Sequence, residues 1–211
     1  MLSTMKTTNR RELFESEWLN KLAESNKWVA LIGYPMAGLV IWIIGLRFTG
    51  LNWLSMLLMS ALGVLGWTLV EYCMHRFLYH NKLETRLAKR FKYIFHGIHH
   101  DEPNREDKLI MPPVPWLVIL AIFFGVFYLF TGSYAYAIVP GLVWGYTGYV
   151  YIHYHTHLPN PPKWMKNHMI HHQLHHHRHS DKAFGVTTPL WDRVFGTMPP
   201  EKIGWNAPRK H

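Results

Sequence analysis

At 211 residues with one cysteine, Cys73, the chain suits a single domain and excludes a disulfide framework, a cysteine-based zinc site and a protein-held iron–sulfur cluster. A net charge of +9 raises nucleic acid or an anionic membrane surface as partner. Long uncharged apolar runs between polar segments favour the membrane and argue against nucleic acid.

Residues 1–27 hold no apolar core of the kind a cleavable signal needs, so this segment is expected to be retained. Asn9 followed by Glu12 is a capping signature. Leu13, Phe14, Trp18 and Leu22 then fall on one side of a short helix, which suits the membrane interface or the protein surface. From Trp28 to Leu46 no residue is charged, and Arg47 closes a run long enough to span a bilayer, with Pro35 a candidate kink. Gly50-Leu51-Asn52 turns the chain into a second uncharged run, Leu51 to Val70, so the pair predicts a hairpin.

That run ends in Glu71-Tyr72-Cys73-Met74-His75-Arg76-Phe77-Leu78-Tyr79-His80, where a span meets water. Cys73 reads as a small buried hydrophobe. Glu71 precedes His75 by four residues, so on a continuing helix its carboxylate is a candidate acceptor for the second ring N–H of His75, or else an interfacial partner of Arg76. His75 and His80, five apart, stand about 140° apart on a regular helix and share a site only if the helix ends or bends between them.

Residues 81–113 are polar, with Arg86, Lys89, Arg90 and Lys92 facing headgroups or solvent. His96-Gly97-Ile98-His99-His100-Asp101-Glu102-Pro103 follows. Its histidines at i, i+3 and i+4 project from one helix face and can converge on a cation, Asp101 is a candidate outer partner, and Pro103 stops the helix. Val114 to Phe130 and Tyr134 to Ile152 are again uncharged, joined by Thr131-Gly132-Ser133. The first is barely long enough to cross the hydrocarbon. Pro140, Gly141, Gly145 and Gly148 mark the second as kinked or closely packed.

The fourth run leads into His153 and His157 at i, i+4. After the rigid turn Pro159-Asn160-Pro161-Pro162 comes the densest histidine stretch, in which His172, His175 and His176 repeat the i, i+3, i+4 spacing; His168, His171 and His172 offer a second register. A tag or low-complexity tract does not explain the recurrence of this spacing at His96. The tail Phe184-Gly185-Val186-Thr187-Thr188-Pro189-Leu190-Trp191-Asp192-Arg193-Val194-Phe195-Gly196-Thr197 reads as a lid over the site or as surface packing.

Neutral imidazole suits iron, copper, nickel and zinc, and four clusters imply more than one metal. Four apolar runs put the N-terminus, the segment His75 to Pro113 and everything after His153 on one side. All but Arg47 of the 22 lysines and arginines lie there, which the positive-inside rule makes cytoplasmic. The expected architecture is all-α: an integral membrane protein with about four transmembrane helices in two hairpins. Segment 1–27 is cytoplasmic, 28–211 is one membrane-embedded domain, and a cytoplasmic histidine-rich helical cap holds a dinuclear metal site.

The order HRFLYH, HGIHHDEP, MPP, HYHTH, HHQLHHH and FGVTTPLWDRVFGT resembles the fatty acid hydroxylase and sterol desaturase superfamily, nearest to the fatty acid 2-hydroxylases, over residues 65–198. The resemblance implies metal ligands at His75, His80, His96, His99, His100, His153, His157, His172, His175 and His176, and it favours the later register. Outer partners are then sought at Glu71, Asp101, His171 and His179, while His155, His168, His177 and His211 stay outside. It also implies two iron ions, with zinc possible in purified protein, O2 as cosubstrate, and hydroxylation of a lipid acyl chain at C2 of a fatty acid or fatty-acyl sphingolipid. The acyl chain is expected between the apolar helices, with its head near the basic residues.

No cytochrome b5 domain accompanies these motifs, so electrons are expected from a separate donor of cytochrome b5, ferredoxin or reductase type. Lys108-Leu109-Ile110 stands where relatives usually have an arginine before the MPP turn. Sterol or carotenoid oxidation, or desaturation, could use the same site. A zinc hydrolase lacks its HExxH glutamate, and a metal transporter lacks mid-membrane histidines. The sequence is silent on oligomeric state.

Overall fold

The computed structural model describes residues 14–204, which form helices and connecting turns. Asn9, Glu12, Leu13 and His211 lie outside the described residues. The first helix, α1, is Glu17–Leu22; before it, the Asn20 side chain bonds both the N–H and the C=O of Phe14.

The next helix starts as a π-helical turn, Val29–Gly33, and continues as α2, Tyr34–Phe48. Pro35 falls in the first turn of α2, directly after the π-helical turn, so the change of winding sits where the proline removes an N–H. Gly50, at φ +74°, and Asn52, whose side chain accepts the Ser55 N–H at 2.8 Å, turn the chain into α3, Trp53–Cys73. A second π-helical turn, Met74–Tyr79, prolongs α3. Helix α4, Arg86–Lys92, passes through a third, Tyr93–Gly97, into α5, Ile98–Asp101. Then come α6, Pro113–Thr131, α7, Ala135–Thr156, α8, Lys166–His177, and α9, Leu190–Val194.

Among the described residues three stretches are long and apolar enough to cross a membrane: Val29–Phe48, Trp53–Tyr79 and Glu106–Thr156. The sequence leads one to expect four. The third stretch runs through two helices: α6 passes into α7 at the 3-10 turn Gly132–Tyr134, where Gly132, at φ +56°, breaks the helical winding. As a result α6 and α7 lie side by side. The rings of Phe124 and Tyr136 are 4.9 Å apart, and the Met111 N–H donates to the Tyr146 hydroxyl at 3.1 Å.

Helix α7 is the centre of the bundle. Helices α3 and α2 pack along it, and they touch each other little although a short turn joins them. Small residues explain this arrangement, since apolar lipid removes the hydrophobic drive between helices and leaves backbone proximity to do the packing. A Cβ at Gly141 would run into the Ser60 carbonyl oxygen and the backbone of Gly63, and one at Gly145 would meet the Trp67 ring; Gly148 makes no such approach. The Ser60 hydroxyl accepts from Trp42 Nε1 and donates to the Ala137 carbonyl, both at 3.1 Å. Nearer the histidines Tyr34 stacks on Trp116 at 3.9 Å, within a core that includes Val143, Tyr146 and Val150. The outward faces keep Ile43, Leu57, Leu62, Ile122 and Leu129 exposed, as a lipid-facing surface requires.

Candidate metal centre

The π-helical turns bring the first histidines into range. In the turn Met74–Tyr79 the His80 N–H bonds the His75 carbonyl at 3.1 Å, an i to i+5 bond. The wider winding returns residues five apart to one face, and the His75 and His80 rings lie 5.1 Å apart. The bend required by their spacing is therefore a change of winding. The turn Tyr93–Gly97 likewise carries His96, with its ring stacked on Tyr79 at 5.0 Å.

His75, His80, His96, His100 and His175 form one cluster, here group A; His99, His153, His157, His172 and His176 form another, group B. Within each group the candidate ligand atoms lie within 4.8 Å of one another. The expectation that each i, i+3, i+4 triplet meets a single cation is corrected. His96 and His100 enter group A while His99 enters group B; His172 and His176 enter group B while His175 enters group A. The cause is helical geometry: i and i+4 stand about 40° apart, whereas i+3 and i+4 stand about 100° apart. Each triplet thus straddles the two groups, and the His100 and His176 rings stack across the boundary at 4.2 Å.

The nitrogen contacts within the groups are not hydrogen bonds that neutral rings can all make. His96 Nε2 has three neighbours of its own kind: His75 Nε2 at 3.0 Å, His80 Nε2 at 3.1 Å and His100 Nε2 at 2.9 Å. An imidazole nitrogen offers one in-plane lone pair or one hydrogen. His75 and His175 use their Nδ1–H to donate to the Phe184 and Lys182 carbonyls, at 2.6 and 2.7 Å, so their Nε2 atoms carry lone pairs. In group B, His172 Nε2 faces His157 Nε2 at 2.9 Å and His176 Nε2 at 3.0 Å, and His153 Nε2 faces His99 Nε2 at 3.0 Å. Converging lone pairs of this kind fit a cation at the centre of each group.

Electrostatics keeps the rings in the ligand form. Burial and neighbouring imidazoles hold His96, His99 and His172 well below the ordinary histidine range. Burial pushes His80, His100 and His157 down to about 4 and His175 to about 3.

Outer contacts differ from the expectations in part. Glu71 does not reach His75, whose outer nitrogen is taken by Phe184. Its carboxylate instead accepts the Val186 N–H at 2.6 Å, the Thr187 N–H at 2.9 Å and the Thr187 hydroxyl, because the tail folds down between α3 and the histidines. Asp101 accepts from the Tyr93 hydroxyl at 3.3 Å. His171 donates to Asp192 at 3.1 Å and His179 to Glu201 at 2.9 Å, so neither faces a group member through these bonds. His168 donates to the Thr187 carbonyl at 3.2 Å and His155 to the Tyr151 carbonyl at 2.7 Å; the register that joins the groups is His172, His175 and His176.

Sequence reasoning missed Tyr149, which shares a hydrogen bond with His153 Nδ1 at 3.2 Å, and Asp192, fully buried within the tail. Tyr149 lies four residues before His153 on α7, a spacing that was there to be found. The tail is not surface packing: Phe184, Val186, Asp192 and Thr197 are all buried.

A cavity of about 380 Å³ opens beside both groups. His75, His96, His99, His153 and His172 form one wall, and Trp67, Met74, Phe95, Ile110, Met111 and Tyr146 line much of the rest. Leu19 and Leu22 of α1 and the polar Glu71 and Lys108 also border it. Such a space suits a long apolar ligand whose reacting end meets the imidazoles.

A family profile described as "Fatty acid hydroxylase" matches residues 60–197. The dihydroceramide fatty acyl 2-hydroxylase FAH2 of Arabidopsis thaliana is 35% identical over 189 residues, covering 88% of this chain and 79% of the relative. The fatty acid 2-hydroxylase of Rattus norvegicus is 37% identical over 151 residues, 67% of this chain but 40% of the relative. Among solved structures, "Full length scs7p (only hydroxylase domain visible)" aligns with a TM-score of 0.79 at 31% identity, covering 92% of this chain and 73% of that one. A chain that shares sequence with these hydroxylases along most of its length, and carries two imidazole clusters beside an apolar cavity, belongs to the fatty acid hydroxylase family and is an oxidoreductase of the hydroxylase type.

Proposed function

We propose that the chain is a membrane di-iron monooxygenase that hydroxylates a lipid acyl chain at C2, the acyl group belonging to a fatty acid or a fatty-acyl sphingolipid. The observation that carries this reading is the meeting of two five-imidazole groups at one end of an apolar cavity. The ten grouped histidines would hold the metals. When bound, two iron ions supply activation of O2 and attack on an unactivated C–H bond, with electrons from a separate donor of cytochrome b5, ferredoxin or reductase type.

The rest is the work of the protein. Trp67, Met74, Phe95, Ile110 and Met111 bind the acyl chain and keep water from the reacting carbon. Tyr149 orients the His153 ring. The carbonyls of Lys182 and Phe184 hold His175 and His75 in the tautomer that leaves Nε2 free to ligate. Oxidation near the polar end of the lipid follows from the site's place at the end of the spans, where the head stays among the basic residues of the cap and the tail runs among the helices. The relatives named 2-hydroxylases support position 2. In this reading α6 and α7 cross separately, giving four spans in two hairpins with both termini and the cap cytoplasmic. The distribution of lysine and arginine supports that orientation.

The test is lipid mass spectrometry of cells expressing the wild type or a variant with His99→Ala and His176→Ala, grown under isotopically labelled oxygen. Labelled 2-hydroxyacyl lipid with the wild type alone is the expected result. Equal product from the variant, or new double bonds in place of a labelled hydroxyl, would overturn the reading.

A further inference from the structure

The segment 182–187 is held more completely than any role as a cover requires. Its five consecutive N–H groups from Ala183 to Thr187 are all spoken for. Ala183 donates to the Thr197 carbonyl at 2.8 Å, Phe184 and Gly185 donate to the Asp192 carboxylate at 2.9 and 2.8 Å, and Val186 and Thr187 donate to Glu71. Asp192 also accepts from the Thr197 hydroxyl at 2.7 Å and from His171 at 3.1 Å, and it has no exposed surface. Ala183 sits at φ +57°, a conformation an L-residue keeps only when its surroundings impose it. The Lys182 and Phe184 carbonyls, on either side of this strained residue, fix the outer nitrogens of His175 and His75.

Group B is held less completely. The outer nitrogens of His99, His172 and His176 are buried without a hydrogen-bond partner among the described residues, and in this group His153 is the ring that has outer partners, the Tyr149 hydroxyl and the Leu109 carbonyl. Ligand rings oriented by outer partners bind metal more tightly than rings left to find their own angle.

We infer that Asp192 is a positioning residue for group A: by clamping the turn 182–187 it fixes the His75 and His175 rings, so that the two metals are held unequally, group A the more tightly. This rests on the reading that each group holds one metal ion. Glu71 fastens the other end of the same turn.

The test uses the full chain in detergent micelles loaded with Co(II), whose ligand-field absorption reports each site, and removes the metal with graded chelator. The wild type is expected to hold two ions and release them in two steps, and the step missing from His75→Ala identifies group A. Asp192→Asn turns an NH2 donor against two of the four protein groups that donate to the carboxylate; it should weaken the group A step by about 10–100-fold and shift its spectrum while leaving the group B step in place. Gly185→Ala is the second variant, because its Cβ would press on the Asp192 carboxylate and the Thr188 carbonyl without changing charge, and it should weaken the same step. If Asp192→Asn fails to fold, judged by helical circular dichroism, Gly185→Ala decides. A wild type that holds fewer than two ions defeats the metal reading itself. Two ions released together, or a group A step unmoved in the folded variants, defeats the role of Asp192 alone.

Discussion

The apolar bundle and the histidine cap share helix α7 but are built on opposite principles. In the bundle, α7 meets α3 where Gly141 faces Gly63, and contact depends on what side chains leave out. In the cap, the last turn of the same helix carries His153, and the surroundings are imidazoles, a buried aspartate and a buried glutamate, so contact depends on polar groups being matched. The bundle tolerates any lipid-compatible surface outside its small-residue seam. The cap tolerates little, since converging lone pairs are unfavourable until a cation joins them. Stability and activity should therefore separate by region.

The largest expected effect is in the cap. His172→Ala removes the ring that meets both His157 and His176, and should lower 2-hydroxyacyl product at least 100-fold in lipid profiling while the helical circular dichroism of the purified protein is unchanged. Product near the wild-type level would mean that the cap is not the site of chemistry.

Acid should also divide the regions. In metal-stripped protein His80, His100 and His157 titrate near 4, against 6.5 in an unfolded chain, so the unfolded chain binds more protons between those values. The contribution of these rings to cap stability is fully present above pH 6.5 and is lost as pH falls through that window. Hydrogen exchange followed from pH 7 to pH 4 should show cap amides losing protection while those of α2 and α3 keep theirs. Uniform loss would erase the contrast.

In the bundle, Gly141→Val forces α7 away from Ser60 and Gly63 and should cost about 1–3 kcal/mol in detergent unfolding, with metal content per folded chain unchanged. Tyr149→Phe, which touches the cap from α7, removes one neutral hydrogen bond to His153 and should weaken metal binding by about 0.5–1.5 kcal/mol in chelator titration. Gly148→Ala meets open space and should change both properties by less than about 0.5 kcal/mol.

The bundle was legible because charge is costly in hydrocarbon and the runs end where charge begins: Trp28 to Leu46 corresponds to Val29–Phe48, and Leu51 to Val70 to the start of Trp53–Tyr79. The joint between α6 and α7 was legible too: Thr131-Gly132-Ser133 was expected there, and the turn is Gly132–Tyr134 with Gly132 at φ +56°. In the cap, histidine spacing marked the clusters and the family resemblance chose the register, but neither gave the partition, because a repeated i, i+3, i+4 pattern does not say which neighbour lies on which side. The π-helical turns at His75 and His96 follow no periodicity that the sequence displays. Glu71 was noticed for its distance from His75 in sequence, yet its partner came from a segment more than 100 residues away. Asp192 sits in a polar, aromatic tail where its burial has no periodic signal.

The most direct test of the central claim is an anomalous-difference map from crystals of the iron-loaded protein, collected at the iron absorption edge. The account predicts two peaks per chain, one inside group A and one inside group B. A single peak, or peaks lying outside the ten histidines, would contradict it.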